Sequence, residues 1–218
     1  MNTRFSLIVF DWDGTLMDST TAIARALQSA CRDLGLPVPD DIRARHVIGL
    51  GLTEALQYAA PGLSAHDYLK IAARYRHHYL AGIEELTLFP GIAALLAELR
   101  HAGRLLAVAT GKSRAGLDRV LEQSGLGLLF HATRCADECF SKPHPAMLEE
   151  LMDELRIAPD RTLMIGDTTH DLQMAKNAGV AGVGVGFGAH TLAALRAEAP
   201  LACVETPEAL VDWLKANI

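Results

Sequence analysis

The stretch that decides the fold is residues 5–16, which read Phe5-Ser6-Leu7-Ile8-Val9-Phe10-Asp11-Trp12-Asp13-Gly14-Thr15-Leu16. An apolar run that ends abruptly in a carboxylate is typical of a parallel strand buried on both faces, because helices cover both sides of such a sheet. Asp11 and Asp13 then lie at the carboxyl end of that strand, where open parallel sheets bind ligands. Asp and Gly are also ordinary turn residues, so this segment alone leaves a plain loop as the alternative.

Three further runs of the same form predict three more strands. They are Leu105–Ala109 ending at Thr110, Thr162–Gly166 ending at Asp167, and Ala181–Val185 running into Gly186. Apolar residues at helical spacing lie between them, over residues 92–99, 114–123 and 145–155. This alternation of strands and helices predicts an α/β fold with a doubly wound parallel sheet.

One segment interrupts the alternation, from about Ser19 to Leu86. It shows helical patterning without a convincing strand, and its first helix has Ile23, Leu27, Ala30, Cys31 and Leu34 on one face. Turn-rich segments at 36–40 and 60–62 divide it. We therefore expect a small α-helical cap domain, residues 19–86, inserted into a core domain formed by residues 1–18 and 87–218.

Composition limits the classes of partner. The chain has 218 residues, of which 50% are hydrophobic, a formal net charge of −6 and a pI of about 5.8. No broad cationic field is available to attract nucleic acid or anionic lipid. The four cysteines are scattered, no secretory signal precedes the first strand, and the apolar runs stop short of the ~20 residues that span a bilayer. We expect a cytoplasmic protein, a monomer or homodimer, with neither membrane nor nucleic acid as partner.

Four polar elements follow one another in an order that carries a family resemblance. They are Asp11–Thr15 (DxDxT), the strand-ending Thr110, Lys142 within Ser141-Lys142-Pro143, and Gly166–Asp171 (GDxxxD). In this order they resemble the motifs of the haloacid dehalogenase superfamily, and the resemblance covers essentially the whole chain. A helical insert after the first motif is similar to the subfamily that includes phosphoglycolate phosphatases and β-phosphoglucomutase. The resemblance implies a Rossmann-like core and a Mg²⁺-dependent phosphatase acting on a small, phosphoglycolate-like phosphate monoester.

The resemblance also implies a role for each motif. Asp11 would be the nucleophile that forms an aspartyl phosphate, and Asp13 the general acid and then the base for water. Mg²⁺ would be bound by Asp11, by Asp167 and by the backbone carbonyl of Asp13, since this ion prefers oxygen ligands.

The phosphoryl group and the metal site would have further supporting residues. Thr110, Lys142 and Gly14 would hold the transferring phosphoryl group. Asp171 would support the metal site or orient Lys142, and Thr15 would support the same site.

The cap should close over the strand ends and select a small phosphorylated metabolite. Its segment 45–53 contains Gly49 and Gly51, and we expect Arg45, His46 and Gly49 to approach the leaving group. The alternative for Arg45 and His46 is that both are ordinary solvated surface residues.

Alternative functions remain at this stage. A mutase of the β-phosphoglucomutase type keeps Asp13, but residues 48–53 have no basic residue of the kind found in its cap loop. A haloacid dehalogenase lacks the second Asp, and a noncatalytic binding protein would have no reason to keep all four motifs.

Gly111-Lys112-Ser113 resembles the tail of a phosphate-binding P-loop, but Leu106 stands where that loop needs glycine. Cys135 and Cys139 lack a second ligand cluster, which favours plain thiols over a zinc site.

Overall fold

The computed structural model describes residues 4–218, which contain one six-stranded, all-parallel sheet with helices on both faces. The strand order is β3-β2-β1-β4-β5-β6. The strands are β1 Leu7–Phe10, β2 Leu105–Thr110, β3 Ala132–Cys135, β4 Thr162–Gly166, β5 Ala181–Val185 and β6 Ala202–Val204. This confirms the predicted α/β class and doubly wound parallel sheet.

Ten α-helices accompany the sheet within residues 4–218. They are α1 Thr20–Asp33, α2 Asp41–His46, α3 Leu52–Ala59, α4 Ala65–Ala81, α5 Ile92–His101, α6 Arg114–Ser124, α7 Ala146–Leu155, α8 Thr169–Asn177, α9 Leu192–Ala197 and α10 Pro207–Asn217. Three short 3-10 turns occur at Ile83–Glu85, Gly127–Leu129 and Pro159–Arg161. The helices α1 to α4 occupy the segment in which the sequence shows helical patterning without a strand.

The sequence missed the two edge strands, β3 and β6. Both are short, and β3 carries half-buried Thr133 and Arg134 between buried ends. Arg134 forms ion pairs with Glu150 and Glu154 of α7, at 2.7 and 2.8 Å. An edge strand has one unpaired side, so it needs fewer apolar residues and gives a weaker sequence signal than a central strand. The first strand is shorter than predicted, because β1 begins at Leu7 rather than at Phe5.

The apolar core consists of two layers, one on each face of the sheet. Ile8 and Phe10 of β1 belong to the layer beneath α5, α6 and α10, whereas Leu7 and Val9 belong to the layer beneath α7 and α8. Successive strand residues point to opposite faces, so a strand covered on both sides must be apolar throughout. This explains why the central strands were readable from the sequence.

The cap helices α1 to α4 pack around an apolar cluster of their own, which includes Leu27, Leu56 and Ile71. The chain passes between core and cap through two linkers that lie side by side. Asp18 N donates to Thr87 O at 2.9 Å, and Phe89 N donates to Leu16 O at 3.0 Å. The division into residues 1–18 with 87–218 and residues 19–86 stays our prediction for the domain boundaries, and its residues 1–3 lie outside the described part of the chain.

Over residues 4–218, none of the helices combines the length and apolar character that crossing a bilayer requires.

Candidate active site

Three central strands bring polar side chains to one edge of the sheet. Asp11 follows β1, Thr110 ends β2 and Asp167 follows β4, and β1 lies between the other two. Lys142 reaches the same place from the loop before α7, and all four residues are buried. The four separated motifs therefore meet at one point in the structure.

The loop after β1 is a tight turn that fixes the first motif. Trp12 O accepts hydrogen bonds from Leu16 N at 3.0 Å and from Met17 N at 3.1 Å. Gly14 has a φ of +79°, and a side chain there would clash with the Asp167 carboxylate. Only glycine meets both demands. The structure thus places Gly14, a predicted phosphate-binding residue, directly against Asp167, while the Trp12 side chain is buried in the core layer near Phe130.

Lys142 lies between two carboxylates. Its Nζ is 2.7 Å from Asp11 Oδ1 and 2.6 Å from Asp171 Oδ1. The second oxygen of Asp171 accepts hydrogen bonds from Thr168 N at 3.0 Å and from Thr168 Oγ1 at 2.7 Å, in a capping box at the start of α8. Asp171 is thereby fixed by its own helix, and it is placed to orient Lys142.

Asp167 is fixed in the same way from two directions. Thr15 Oγ1 donates to Asp167 Oδ1 at 3.2 Å, and Ala189 N donates to Asp167 Oδ2 at 2.7 Å. The second contact comes from the loop after β5, which the sequence marks only by its glycine-rich stretch 182–188. Both oxygens keep a lone pair free, so Asp167 is a preorganised anionic ligand.

The charges at this site do not balance. Carboxylate oxygens of Asp11, Asp167 and Asp171 lie within 4.8 Å of one another, and Lys142 is the cation paired with two of them. Burial raises the pKa of Asp11 to about 7 even though Lys142 opposes this shift. Burial, followed by the nearby charge of Asp11, also raises the pKa of Asp167 well above its ordinary value.

This donor set suits a divalent cation. Among residues 4–218, Asp11 Oδ2 has no hydrogen-bond partner although it is buried. A hard cation such as Mg²⁺ binds carboxylate oxygens and would offset the excess negative charge. The residues present therefore fit the predicted metal.

Asp13, the second aspartate of the first motif, belongs to a different hydrogen-bond network. This network includes Lys112, which the sequence does not mark as a site residue. Asp13 Oδ1 accepts a hydrogen bond from Ser19 Oγ at 2.6 Å, and Asp13 Oδ2 is 3.0 Å from Lys112 Nζ. Lys112 Nζ also donates to the Tyr79 hydroxyl of the cap at 2.9 Å. Burial alone would lower the pKa of Lys112, but the charge of Asp13 and the contact with Tyr79 outweigh it, so that the pKa is raised.

Lys112 could have been noticed from its position, two residues after the strand-ending Thr110. Its side chain is only 8% exposed, and it joins the core loop, the cap helix α4 and Asp13.

We expect Lys112→Met to lower kcat at least about tenfold. A hydrogen bond to a charged group contributes roughly 1.5–3 kcal/mol, and its loss would leave Asp13 without one of its two fixed partners. Steady-state kinetics on one phosphate ester would measure the effect, with Lys112→Arg as the matched variant that keeps the charge. Unchanged kcat in Lys112→Met would show that Ser19 alone holds Asp13 in place.

The cap loop between α2 and α3 lies against the core through its backbone. His170 Nε2 and His190 Nε2 donate to His46 O at 2.8 and 3.2 Å, and Gly51 N donates to Ser141 Oγ at 2.7 Å. Burial lowers the pKa of His190 to about 4, so this ring is neutral near pH 7. Because Thr169 N donates to the other nitrogen of His190, this imidazole group holds the cap loop rather than a metal.

The structure corrects the expected contact of Arg45 and His46 with the leaving group. Arg45 donates to the Thr20 and Thr21 hydroxyls of α1, each at 3.1 Å, and the His46 ring stacks on His190. Neither residue lines the cleft beside Asp13, whereas Gly49 does. Arg45 is therefore bound by the hydroxyls of α1, and His46 packs against the core histidines.

Comparisons with known proteins agree with this geometry. A protein of Dickeya dadantii named "Probable phosphatase IndB" is 39% identical over 207 residues, which cover 92% of this chain and 89% of that protein. A phosphoglycolate phosphatase of Vibrio vulnificus is 35% identical, with 85% of each chain covered. The crystal structure of a "predicted phosphoglycolate phosphatase" from Haemophilus somnus superposes with a TM-score of 0.86 at 26% identity and covers both chains fully. The sequence model described as haloacid dehalogenase-like hydrolase matches residues 8–185, and the chain therefore belongs to that family, as its four motifs indicate.

Proposed function

We propose that this phosphoric monoester hydrolase is Mg²⁺-dependent and cleaves small phosphate monoesters through an aspartyl phosphate on Asp11. One observation carries the proposal. Asp11 is buried at the centre of the sheet edge, with one oxygen on Lys142 and the other without a hydrogen-bond partner among the described residues, beside two further carboxylates.

In the first half-reaction, an Asp11 oxygen attacks phosphorus as the bond from phosphorus to the ester oxygen breaks. The proton for the leaving alkoxide comes from Asp13, which Ser19 and Lys112 hold two residues beyond the nucleophile. Lys142 and the Thr110 hydroxyl bind the non-bridging oxygens by charge and by hydrogen bonding. The products of this step are the free alcohol and phosphorylated Asp11.

In the second half-reaction, Asp13 removes a proton from water as the water oxygen attacks phosphorus. The acyl phosphate bond breaks, which releases inorganic phosphate and restores the Asp11 carboxylate. Asp11, Asp167 and the backbone carbonyl of Asp13 would hold Mg²⁺, with Asp171 and Thr15 supporting them. When bound, this ion neutralises charge on the transferring phosphoryl group.

The names of relatives suggest phosphoglycolate as a first substrate to test. The cap loop 48–53 has no basic residue for a second phosphate, which favours a hydrolase over a phosphosugar mutase. A hydrolase should release phosphate from phosphoglycolate, and from β-glucose 1-phosphate it should release phosphate without forming the isomer. A mutase would form the isomer instead.

We expect excess chelator to abolish phosphate release and added Mg²⁺ to restore it, because the buried carboxylates need a counterion. Binding can be read without turnover, since a ligand at about 100 times its Kd stabilises the folded state by about 2.7 kcal/mol. Mg²⁺ should therefore raise the Tm of the chelated protein, and Asp167→Asn should lose most of that rise. Full activity in chelator, or the same rise in Asp167→Asn, would contradict the metal site.

A further inference from the structure

A cleft of about 470 Å³ opens between cap and core beside the proposed active site. Asp13 and Lys112 line it, but Asp11, Thr110, Lys142 and Asp167 do not. In the proposed mechanism Asp13 gives its proton to the leaving oxygen. The cleft therefore lies on the side of the leaving group, and its volume is additional to the phosphoryl site.

The walls of this leaving-group cleft are mainly apolar. Ile23 and Leu27 of α1 and Leu56 of α3 line it, together with the tyrosines Tyr75 and Tyr79 of α4. The two tyrosine rings are nearly parallel, at 5.9 Å between centroids. Leu80, which follows Tyr79 in the same helix, lines the cleft and stays 42% exposed. These surfaces would be covered by an apolar or aromatic group.

The charges of the cleft do not favour a small carboxylate next to the ester oxygen. Among the described residues, its cations are Lys112, Arg76 and Arg119. The Lys112 ammonium is already in contact with Asp13 at 3.0 Å and with the Tyr79 hydroxyl at 2.9 Å, and both arginines are exposed to solvent. A glycolate leaving group would place its carboxylate beside Asp13 and an already partnered Lys112, against walls that are mainly apolar.

From this geometry we infer that the preferred substrate is a phosphate monoester of a bulky, largely apolar alcohol that carries an aromatic ring. The inference rests on the proposed phosphatase function, and it replaces the phosphoglycolate suggested by the names of relatives with a larger leaving group. Clefts of roughly 300–1,000 Å³ hold drug-sized ligands, so a two-carbon leaving group would leave most of this one filled by water. A ring that packs between Ile23 and the two tyrosines, all of them half-buried, would instead bury their remaining apolar area.

Three alkyl esters and one acyl phosphate test the inference with Mg²⁺ present. In 2-phenylethyl phosphate, ethyl phosphate and phosphoglycolate the leaving group is an alkoxide, so differences in kcat/KM report mainly on the cleft. We expect 2-phenylethyl phosphate to exceed both others at least about tenfold, since a few buried methylene-sized groups are worth that much. Acetyl phosphate, which needs no cleft, serves as the measure of the core chemistry.

A cleft-filling variant gives the second measurement. Ala115 of α6 lines the cleft and is exposed, and Ala93 of α5 is exposed but not in the lining, so Ala115→Trp and Ala93→Trp form a matched pair. We expect Ala115→Trp to lower kcat/KM for 2-phenylethyl phosphate about tenfold and leave acetyl phosphate unchanged, and Ala93→Trp to change neither.

The outcomes separate the two levels of the argument. If phosphoglycolate is the best ester, or Ala115→Trp does not discriminate between large and small substrates, the inference is wrong and the phosphatase stands. If neither acetyl phosphate nor any ester is hydrolysed, the proposed function fails and the inference fails with it.

Discussion

Asp11→Asn is expected to lower turnover by on the order of 10⁴-fold or more, because loss of a covalent nucleophile removes the reaction path rather than one contact. The amide is a poor nucleophile and carries no charge for a metal. Released phosphate measures the loss, and intact-mass spectrometry should show no phosphate adduct in this variant. Activity within about tenfold of the wild type would place the nucleophile elsewhere.

The same variant should remain folded, and the raised pKa of Asp11 predicts how its Tm should compare with that of the wild type. Burial raises the pKa of Asp11 from 3.8 to about 7 in the folded chain. A carboxyl group with a raised folded pKa binds its proton more tightly in the folded state, so its charge costs stability as pH rises from about 4 to 7. In chelator at pH 8, Asp11→Asn should therefore melt no lower than the wild type. A much lower Tm would mean that lost activity reflects unfolding.

Which parts of the fold were predictable follows from burial. The four central strands are covered on both faces, so each is an uninterrupted apolar run that ends at a polar residue or glycine, and the sequence located each to within two residues. The edge strand Ala132–Cys135 carries Arg134, whose charge is satisfied by Glu150 and Glu154 from α7. No local pattern reveals partners 16 and 20 residues away, and the strand was missed.

The candidate site divides in the same way. Asp11, Thr110 and Asp167 are marked in the sequence by strand ends and by the family resemblance, whereas Lys142 is marked by the resemblance alone, and the structure brings all four to one edge of the sheet. Lys112 gains its place through Asp13 and through Tyr79, and Tyr79 lies on a cap helix 33 residues earlier in the chain.

For Arg45 and His46, the sequence predicts the position of the loop but not the direction of the side chains. Their loop does approach the core, as predicted, but the Arg45 side chain turns to Thr20 and Thr21 of α1. Sequence can place a loop near a site more easily than it can place a long side chain within it, because competing hydrogen-bond partners lie elsewhere in the chain.

The cleft raises a question about Asp13, since the same carboxylate must serve the leaving group and then the water. Asp13→Ala should lower kcat by ~10²–10⁴-fold, which is the usual contribution of general acid and base catalysis. It removes neither Asp11 nor the backbone carbonyl proposed as a metal ligand, so the Mg²⁺-induced rise in Tm should be kept. This separates it from Asp167→Asn, which should lose both activity and that rise.

The leaving group makes the prediction for Asp13→Ala sharper. Acetyl phosphate releases a weak base that needs little protonation, so the first half-reaction should proceed without the acid, whereas hydrolysis of phosphorylated Asp11 should still lack its base. The variant should therefore accumulate a phosphate adduct with acetyl phosphate, visible by intact-mass spectrometry, but not with ethyl phosphate. A loss of kcat below about tenfold would assign the proton transfers to another group. Lys112 would not be that group, because its raised pKa keeps it protonated and unable to act as the base.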